Sequence, residues 1–273
     1  MIDYISNNVP RDSDTHMGED GLVYCNRCNT PRQSVFTVDG LIEPRIVWQM
    51  CRCMADDYER RETEARQRER EQRIERYRKA GFPDREMRNY RFENDDKATP
   101  TLSNAMQAYC ENFPMLRKEG KGLLLYGNVG TGKSFYAACI VNDLIDKGYP
   151  CLLTNFSRLS NKISSMWEGK QEYIDSLCRY ALIAIDDLGV ERDTEFMNEQ
   201  VTTIIDSFYR AKVPMIITSN YTPKQLTEDC EIRKRRIYDR LLERCHPVKI
   251  DGASRRKAIG RSGYADMNKL LGL

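Results

Sequence analysis

One stretch constrains this chain more than any other: Gly127-Asn128-Val129-Gly130-Thr131-Gly132-Lys133-Ser134. It follows a short apolar run, Lys121–Tyr126 (KGLLLY), and opens a helical pattern, FYAACIVNDLIDKG. A strand running into a glycine-rich loop and then a helix is the context a phosphate-binding loop requires. The glycines let the backbone wrap phosphate groups, so that its N–H groups point at them from a helix N-terminus. Lys133 is placed to reach the outer phosphates of ATP, and Ser134 offers a hydroxyl to Mg2+. The whole run from Gly127 to Ser134 is therefore expected to bind the nucleotide.

Two further strands belong to the same chemistry. The apolar run Ala181–Ile185 ends in Asp186-Asp187. Asp186 is expected to hold Mg2+, directly or through water, and Asp187 to orient or deprotonate the attacking water. The run Val213–Ser219 ends at Asn220, whose amide at a strand tip can reach that water or the γ-phosphate. The alternative is an asparagine that caps the turn. Strands are expected at Gly122–Tyr126, Cys151–Asn155, Leu182–Asp186, Met215–Ser219 and Pro247–Ile250, alternating with helical stretches. That alternation predicts an α/β fold with a parallel sheet and helices on both faces. Two basic groups follow, Arg236 with Arg240 on a helix, and Ser254-Arg255-Arg256. Assembling P-loop ATPases use arginines to stabilise phosphoryl charge in a neighbour's site; the plainer reading is an exposed basic helix.

The N-terminal part follows different rules. Cys25 and Cys28 are two residues apart, Cys51 and Cys53 one. Four thiolates suit tetrahedral Zn2+ in a structural site. A module of about 30 residues buries too little core to fold alone, so metal binding would supply much of its folding free energy. His16 is a substitute ligand in principle, but it lies in a stretch read as a tail. Between the pairs, Ser34–Val38 and Arg45–Met50 flank the turn signal Asp39-Gly40 and predict a hairpin. The other six cysteines are scattered, and those in apolar runs, such as Cys139 and Cys151, read as small buried hydrophobes.

The organisation expected is a flexible tail (1–20), a zinc module (21–54), a charged spacer helix (55–80), a connector (81–118), an ATPase domain (119–260) and a C-terminal tail (261–273). The spacer lacks Gly and Pro, and its charges alternate at helical spacing, each pair contributing ~0.2–0.5 kcal/mol to an isolated helix. It is read as solvated and ended by Gly81 and Pro83; the connector carries a helix from Leu102 to about Leu116. The 273 residues suffice for one α/β domain of about 150 residues and a smaller module. No apolar run approaches the ~20 residues of a membrane span. The first residues have no basic start followed by an apolar stretch. A cytoplasmic protein without membrane attachment is expected, and this argues against disulfides. The net charge of +2 is too small to announce nucleic-acid binding by itself.

Together, NYRFENDD, GLLLYGNVGTGKS, LIAIDDLGVERDTEFMNEQ, IIDSFYRAKVPMIITSN and RRIYDRL with VKIDGASRR resemble the DnaC/DnaI/IstB group of AAA+ ATPases, from about residue 81 to 257. The cysteine pairs and charged helix look like those of phage and Gram-positive helicase loaders. The resemblance implies an AAA+ core with a minimal lid and ATP hydrolysis, slow or conditional because Asp187 stands where other AAA+ proteins carry Glu. It puts Arg240 on the arginine finger with Arg236 beside it, Asn220 on sensor I, and Arg256 on the sensor II arginine, in a Gly252, Ser254, Arg256 context. The helix expected over Ser157–Trp167 falls where loaders line a DNA path, making Arg158, Lys162 and Trp167 DNA-binding candidates; the alternative for Trp167 is a packed interface. The partners implied are a hexameric DnaB-type replicative helicase, gripped by the zinc module and spacer helix, single-stranded DNA, and further copies of the chain, six with the helicase, in a spiral or ring. Two rival readings are an IstB-type helper of a transposase on duplex DNA and a zinc-bearing adaptor that uses ATP as a switch with little hydrolysis.

Overall fold

The computed structural model describes residues 14–37, 45–96, 99–189, 195–228, 232–252, 254, 267, 270 and 271, with the backbone alone for 195, 196, 232–234 and 236. The chain divides into two compact units, Met1–Glu71 and Gln72–Leu273.

The first unit holds two antiparallel strand pairs. Strands β1 (Thr15–Met17) and β2 (Val23–Cys25) pair with Thr15 opposite Cys25. Strands β3 (Gln33–Phe36) and β4 (Arg45–Trp48) pair with Gln33 opposite Trp48 and Phe36 opposite Arg45. The second pair is the expected hairpin; its turn signal Asp39-Gly40 lies outside the described residues. The first pair begins inside the stretch read as a tail. Asp20 closes its turn by accepting from the Tyr24 hydroxyl (2.8 Å) and the Leu22 N–H (3.1 Å), which gives residues from Thr15 onward a fixed place. Helix α1 (Arg52–Gly81) starts between the members of the second cysteine pair. Its early turns carry exposed ion pairs such as Arg66–Glu62 and Arg60–Asp57.

The second unit is built on a parallel sheet of β5 (Gly122–Tyr126), β6 (Cys151–Thr154), β7 (Leu182–Leu188), β8 (Met215–Ser219) and β9 (Cys245–Lys249), in the order β6-β7-β8-β5-β9. Strands β5 to β8 are largely buried on both faces, as sheets covered by helices on both sides are, while the edge strand β9 (CHPVK) is mostly exposed. The period of two sorts them: Leu123 and Leu125 join one core with Tyr136, Ile140 and Leu144 of helix α4 (Lys133–Asp146), while Leu124 joins another with Ile183, Ile185, Phe208 and Leu241. Helices α5 (Phe156–Ser164), α6 (Lys170–Leu177), α7 (Glu195–Arg210), α8 (Pro223–Glu228) and α9 (Ile232–Arg244) line that second face. Strand β9 starts two residues before its expected start at Pro247, and β7 runs past Asp186 through an irregularity.

Two helical expectations are corrected. The single helix expected over Leu102–Leu116 is two, α2 (Pro100–Glu111) and α3 (Phe113–Glu119), parted at Asn112. Pro114 has no N–H to continue the ladder, and its ring clashes with the carbonyl four residues back. The spacer helix is not solvated to its end: Ile74 and Tyr77 pack on the first core, and both Arg78 and Arg91 pair with Asp146. The connector is fastened to α4 by Asn142, whose side-chain N–H groups donate to the Met87 and Tyr90 carbonyls (2.9 Å each), and by the Tyr136 hydroxyl donating to Asp95 (3.0 Å). Among the described residues no helix is long and apolar enough to cross a membrane.

Candidate ATP site and cysteine cluster

The loop from Gly127 to Gly132 sits at the end of β5 and leads into α4, as its spacing requires. Its glycines are needed sterically. A Cβ on Gly127 (φ +149°) would lie 2.3 Å from the Ile250 carbonyl oxygen, and one on Gly130 (φ +83°) 2.3 Å from the Ser254 hydroxyl. Ser254 is thereby brought against the loop; Arg255 and Arg256 lie outside the described residues.

Lys133, only 5% exposed, donates from Nζ to the Gly127 and Asn128 carbonyls (2.9 and 2.8 Å) and to Asn220 Oδ1 (2.8 Å). An ammonium with three donors thus ties the loop to the tip of β8. Asn220 does not serve as a simple turn cap, because its carbonyl oxygen faces the loop lysine across 87 residues of chain. The strand order makes this possible: β8 lies between β5 and β7, so its tip reaches both the loop and the two acidic residues.

Asp186 and Asp187 lie in a bulge. Ile185 is opposite Ile217 and Leu188 opposite Ser219, which leaves two residues of β7 against Thr218 alone. Asp187 has φ +60°, a left-handed conformation rare for a non-glycine residue, and its side chain is exposed. The fully buried Thr218 hydroxyl donates to Asp186 Oδ1 (2.6 Å) and accepts from the Asp187 N–H (2.8 Å). Ser134 opens α4 on the loop side. Its hydroxyl and the Asp186 carboxylate are the hard oxygen donors that Mg2+ prefers, so the residues fit that ion.

Arg240 stands apart from this cluster. Its Nη1 donates to Asp206 on α7, and its guanidinium lies 5.8 Å from the centre of the Tyr209 ring. The Asp206 carboxylate raises its pKa further, keeping it charged. Asp206 and Thr218 had no role in the sequence reading; a lone Thr in MIITS and an Asp in a helix carry no signal until their neighbours are known. The Arg236 side chain lies outside the described residues.

On the edge formed by α5, Leu159 and Ile163 are buried while Arg158 and Lys162, one helical turn apart, are exposed. The helix stops at Ser164, short of the expected Trp167, which follows in a loop and is 100% exposed. Its ring is uncovered in this chain, so base stacking and a packed interface would each require a partner.

In the first unit the four sulfurs of Cys25, Cys28, Cys51 and Cys53 all lie within 4.8 Å of one another, with Cys25–Cys53 at 3.7 Å and Cys51–Cys53 at 3.4 Å. Zn–S bonds of about 2.3 Å in a tetrahedron would space sulfurs at about 3.8 Å, so the donor set fits Zn2+. The thiols cannot all ionise together without a cation. A hydrogen bond with Thr30 lowers Cys28 to about 5, and the Cys28 N–H lowers Cys25, whereas Cys51 pushes Cys53 up to about 12 and burial raises Cys51. His16 is not part of the cluster; its Nδ1 bonds to Asn26 (2.8 Å) and its ring stacks on Tyr24.

The sheet order, the loop and the strand tips define the class: an α/β P-loop nucleotide-binding core of the AAA+ type, preceded by a four-cysteine unit. A model of the IstB-like ATP binding proteins matches residues 55–262, and the chain belongs to that family. It is similar to the replicative helicase loader DnaI of Bacillus subtilis (strain 168), 27% identical over 150 residues, which are 50% of this chain and 48% of that protein. It is also similar to the loader DnaC of Escherichia coli (strain K12), 25% identical over 159 residues, 56% of this chain and 61% of that one. The chain thus spans about half the length of the first of these relatives. A crystal structure of DnaI shares the fold, with a TM-score of 0.54 at 23% identity over 64% of this chain and 95% of that one.

Proposed function

We propose that this protein is an ATP-dependent loader that grips a DnaB-type replicative helicase and helps place it on single-stranded DNA. The observation that carries the reading is the joining, in one chain similar to DnaI and DnaC, of the Lys133–Asn220–Asp186 strand-tip site to a four-cysteine unit with exposed apolar strands.

In the core, the loop N–H groups and Lys133 bind the phosphates, and on binding Lys133 exchanges loop carbonyls for phosphate oxygens. Ser134 and Asp186 would hold Mg2+, which would neutralise charge on the outer phosphates. Asp187, turned outward by its left-handed backbone, accepts the proton of the attacking water, and Asn220 orients that water. Asp187 is one methylene shorter than the usual Glu, which fits slow hydrolysis that is accelerated on assembly. Arg240, held by Asp206 and Tyr209, is presented to the ATP of a neighbouring copy, six of which stack against the helicase; Arg236 stands beside it and Arg256 answers the nucleotide from its own chain, both on resemblance. Arg158 and Lys162 contact DNA phosphates, and Trp167 stacks on a base.

In the N-terminal unit, Cys25, Cys28, Cys51 and Cys53 would hold Zn2+, which would cross-link the two cysteine pairs. The exposed Val35, Phe36 and Ile46 of the hairpin then offer apolar surface to the helicase. A second reading, an ATPase helper of a transposase acting on duplex DNA, draws on the family's IstB-like description. Co-purification with the host replicative helicase in ATP and in ADP, followed by mass measurement, separates them. An ATP-favoured complex supports the loader. No complex in either nucleotide shifts the assignment to the transposase helper.

A further inference from the structure

We propose that Thr218 is a positioning residue for ATP hydrolysis, holding both acidic residues of the site through one hydroxyl; this rests on the hydrolysis reading above. Three independent features converge on it. First, Thr218 is the single residue of β8 opposite the two-residue bulge between Ile185 and Leu188. Bulges re-aim side chains and concentrate beside active sites. Second, the hydroxyl uses its one donor on Asp186 Oδ1 (2.6 Å) and accepts from the Asp187 N–H (2.8 Å). A threonine hydroxyl has one proton to give, so its direction is fixed by Asp186. Third, Thr218 is wholly buried, a hydroxyl in a strand whose preceding residues, Met215 to Ile217, are all apolar.

The consequence for each carboxylate differs. Asp186 has one carboxylate oxygen committed to Thr218, which would leave its other oxygen as the one to take Mg2+. Asp187 is held through its backbone: the bond to its N–H stabilises the φ of +60° that sends its side chain outward rather than into the sheet. The neighbouring Ser219 completes the clamp, its buried hydroxyl donating to the Leu188 carbonyl (2.8 Å) on the far side of the bulge. A valine at 218 would keep the shape of the side chain and remove both bonds.

The test compares Thr218→Val and Thr218→Ser in the full-length protein. Two readouts are taken: mant-ATP affinity in EDTA and in Mg2+, and steady-state ATP turnover. In EDTA the valine variant should bind mant-ATP within about twofold of the parent, because the loop and Lys133 are untouched. In Mg2+ it should lose most of the ion-dependent gain in affinity, and turnover should fall about 10- to 100-fold, as when an outer partner of a metal ligand is removed. Thr218→Ser should restore both. Valine at parental turnover with the full Mg2+ gain would overturn the proposal, as would a serine variant as defective as valine. If the valine variant does not fold, Thr218→Cys, whose thiol is a weak donor and acceptor, takes its place under the same criteria. If the parent shows no turnover that Asp187→Ala abolishes, the hydrolysis reading itself fails, and the Mg2+ comparison still decides what Thr218 does for Asp186.

Discussion

The two units are held together by different physics. In the unit Met1–Glu71 the only buried residues among those described are Cys25 and Cys51, while Val35, Phe36, Ile46 and Trp48 face outward. In Gln72–Leu273, two apolar clusters fill both faces of the sheet, with Leu124, Leu125, Ile140, Ile183 and Phe208 all at 0% exposure. Each such side chain removed from water contributes about 1.5–3 kcal/mol relative to exposure. Among its described residues the first unit has no comparable source of stability, and its four clustered cysteines are where a bound metal would supply one. Apolar surface left uncovered by a fold this small is available to a partner.

The sharpest way to break this contrast is to remove the metal. Chelation, or Cys25→Ser with Cys28→Ser, should unfold the first unit outright, read as loss of protection from hydrogen exchange in Val23–Cys25 and Gln33–Phe36, with the strands of the parallel sheet unchanged. Equal loss in both units would merge them into one cooperative fold. Next in size, Arg240→Ala should reduce turnover of the assembled protein by about 10³-fold, the low end of what an arginine finger supplies. Mixing it with Lys133→Ala should recover part of the activity, since each variant keeps what the other lacks; no recovery would confine Arg240 to its own chain. Lys133→Ala alone should weaken ATP binding about 10- to 100-fold, the worth of charged hydrogen bonds of about 1.5–3 kcal/mol, while zinc content stays at one per chain. Smallest, Trp167→Ala should weaken single-stranded DNA binding by ~1–3 kcal/mol, measured by anisotropy at fixed salt. An unchanged affinity would leave the exposed ring to a protein partner.

How much of this was legible in the sequence follows the same division. The loop from Gly127 to Ser134, the strand before Asp186 and the cysteine pairs are local patterns, and each stands where its spacing requires. What escaped depends on contacts between distant elements. The bulge that turns Asp187 outward is a mismatch of register between β7 and β8, and register is written in neither strand alone. Thr218 reads as one polar residue in MIITS until it is seen opposite two carboxylates. The Arg240–Asp206 pair joins two residues 34 apart on different helices, and the late turns of α1 read as solvated because Ile74 and Tyr77 are too sparse to form a stripe. Pro114 did carry the signal for the break after α2, and the short hairpin from Thr15 was signalled only by Asp20 and Gly21, a turn too small to outweigh the polar run before it.

We propose a division of labour in which the four-cysteine unit grips the helicase while the apolar core handles ATP. It is tested most directly by measuring, on one preparation before and after zinc removal, both capture of the replicative helicase and mant-ATP affinity. Capture should be lost while nucleotide affinity stays within about twofold. Undiminished capture by the zinc-free protein would contradict it.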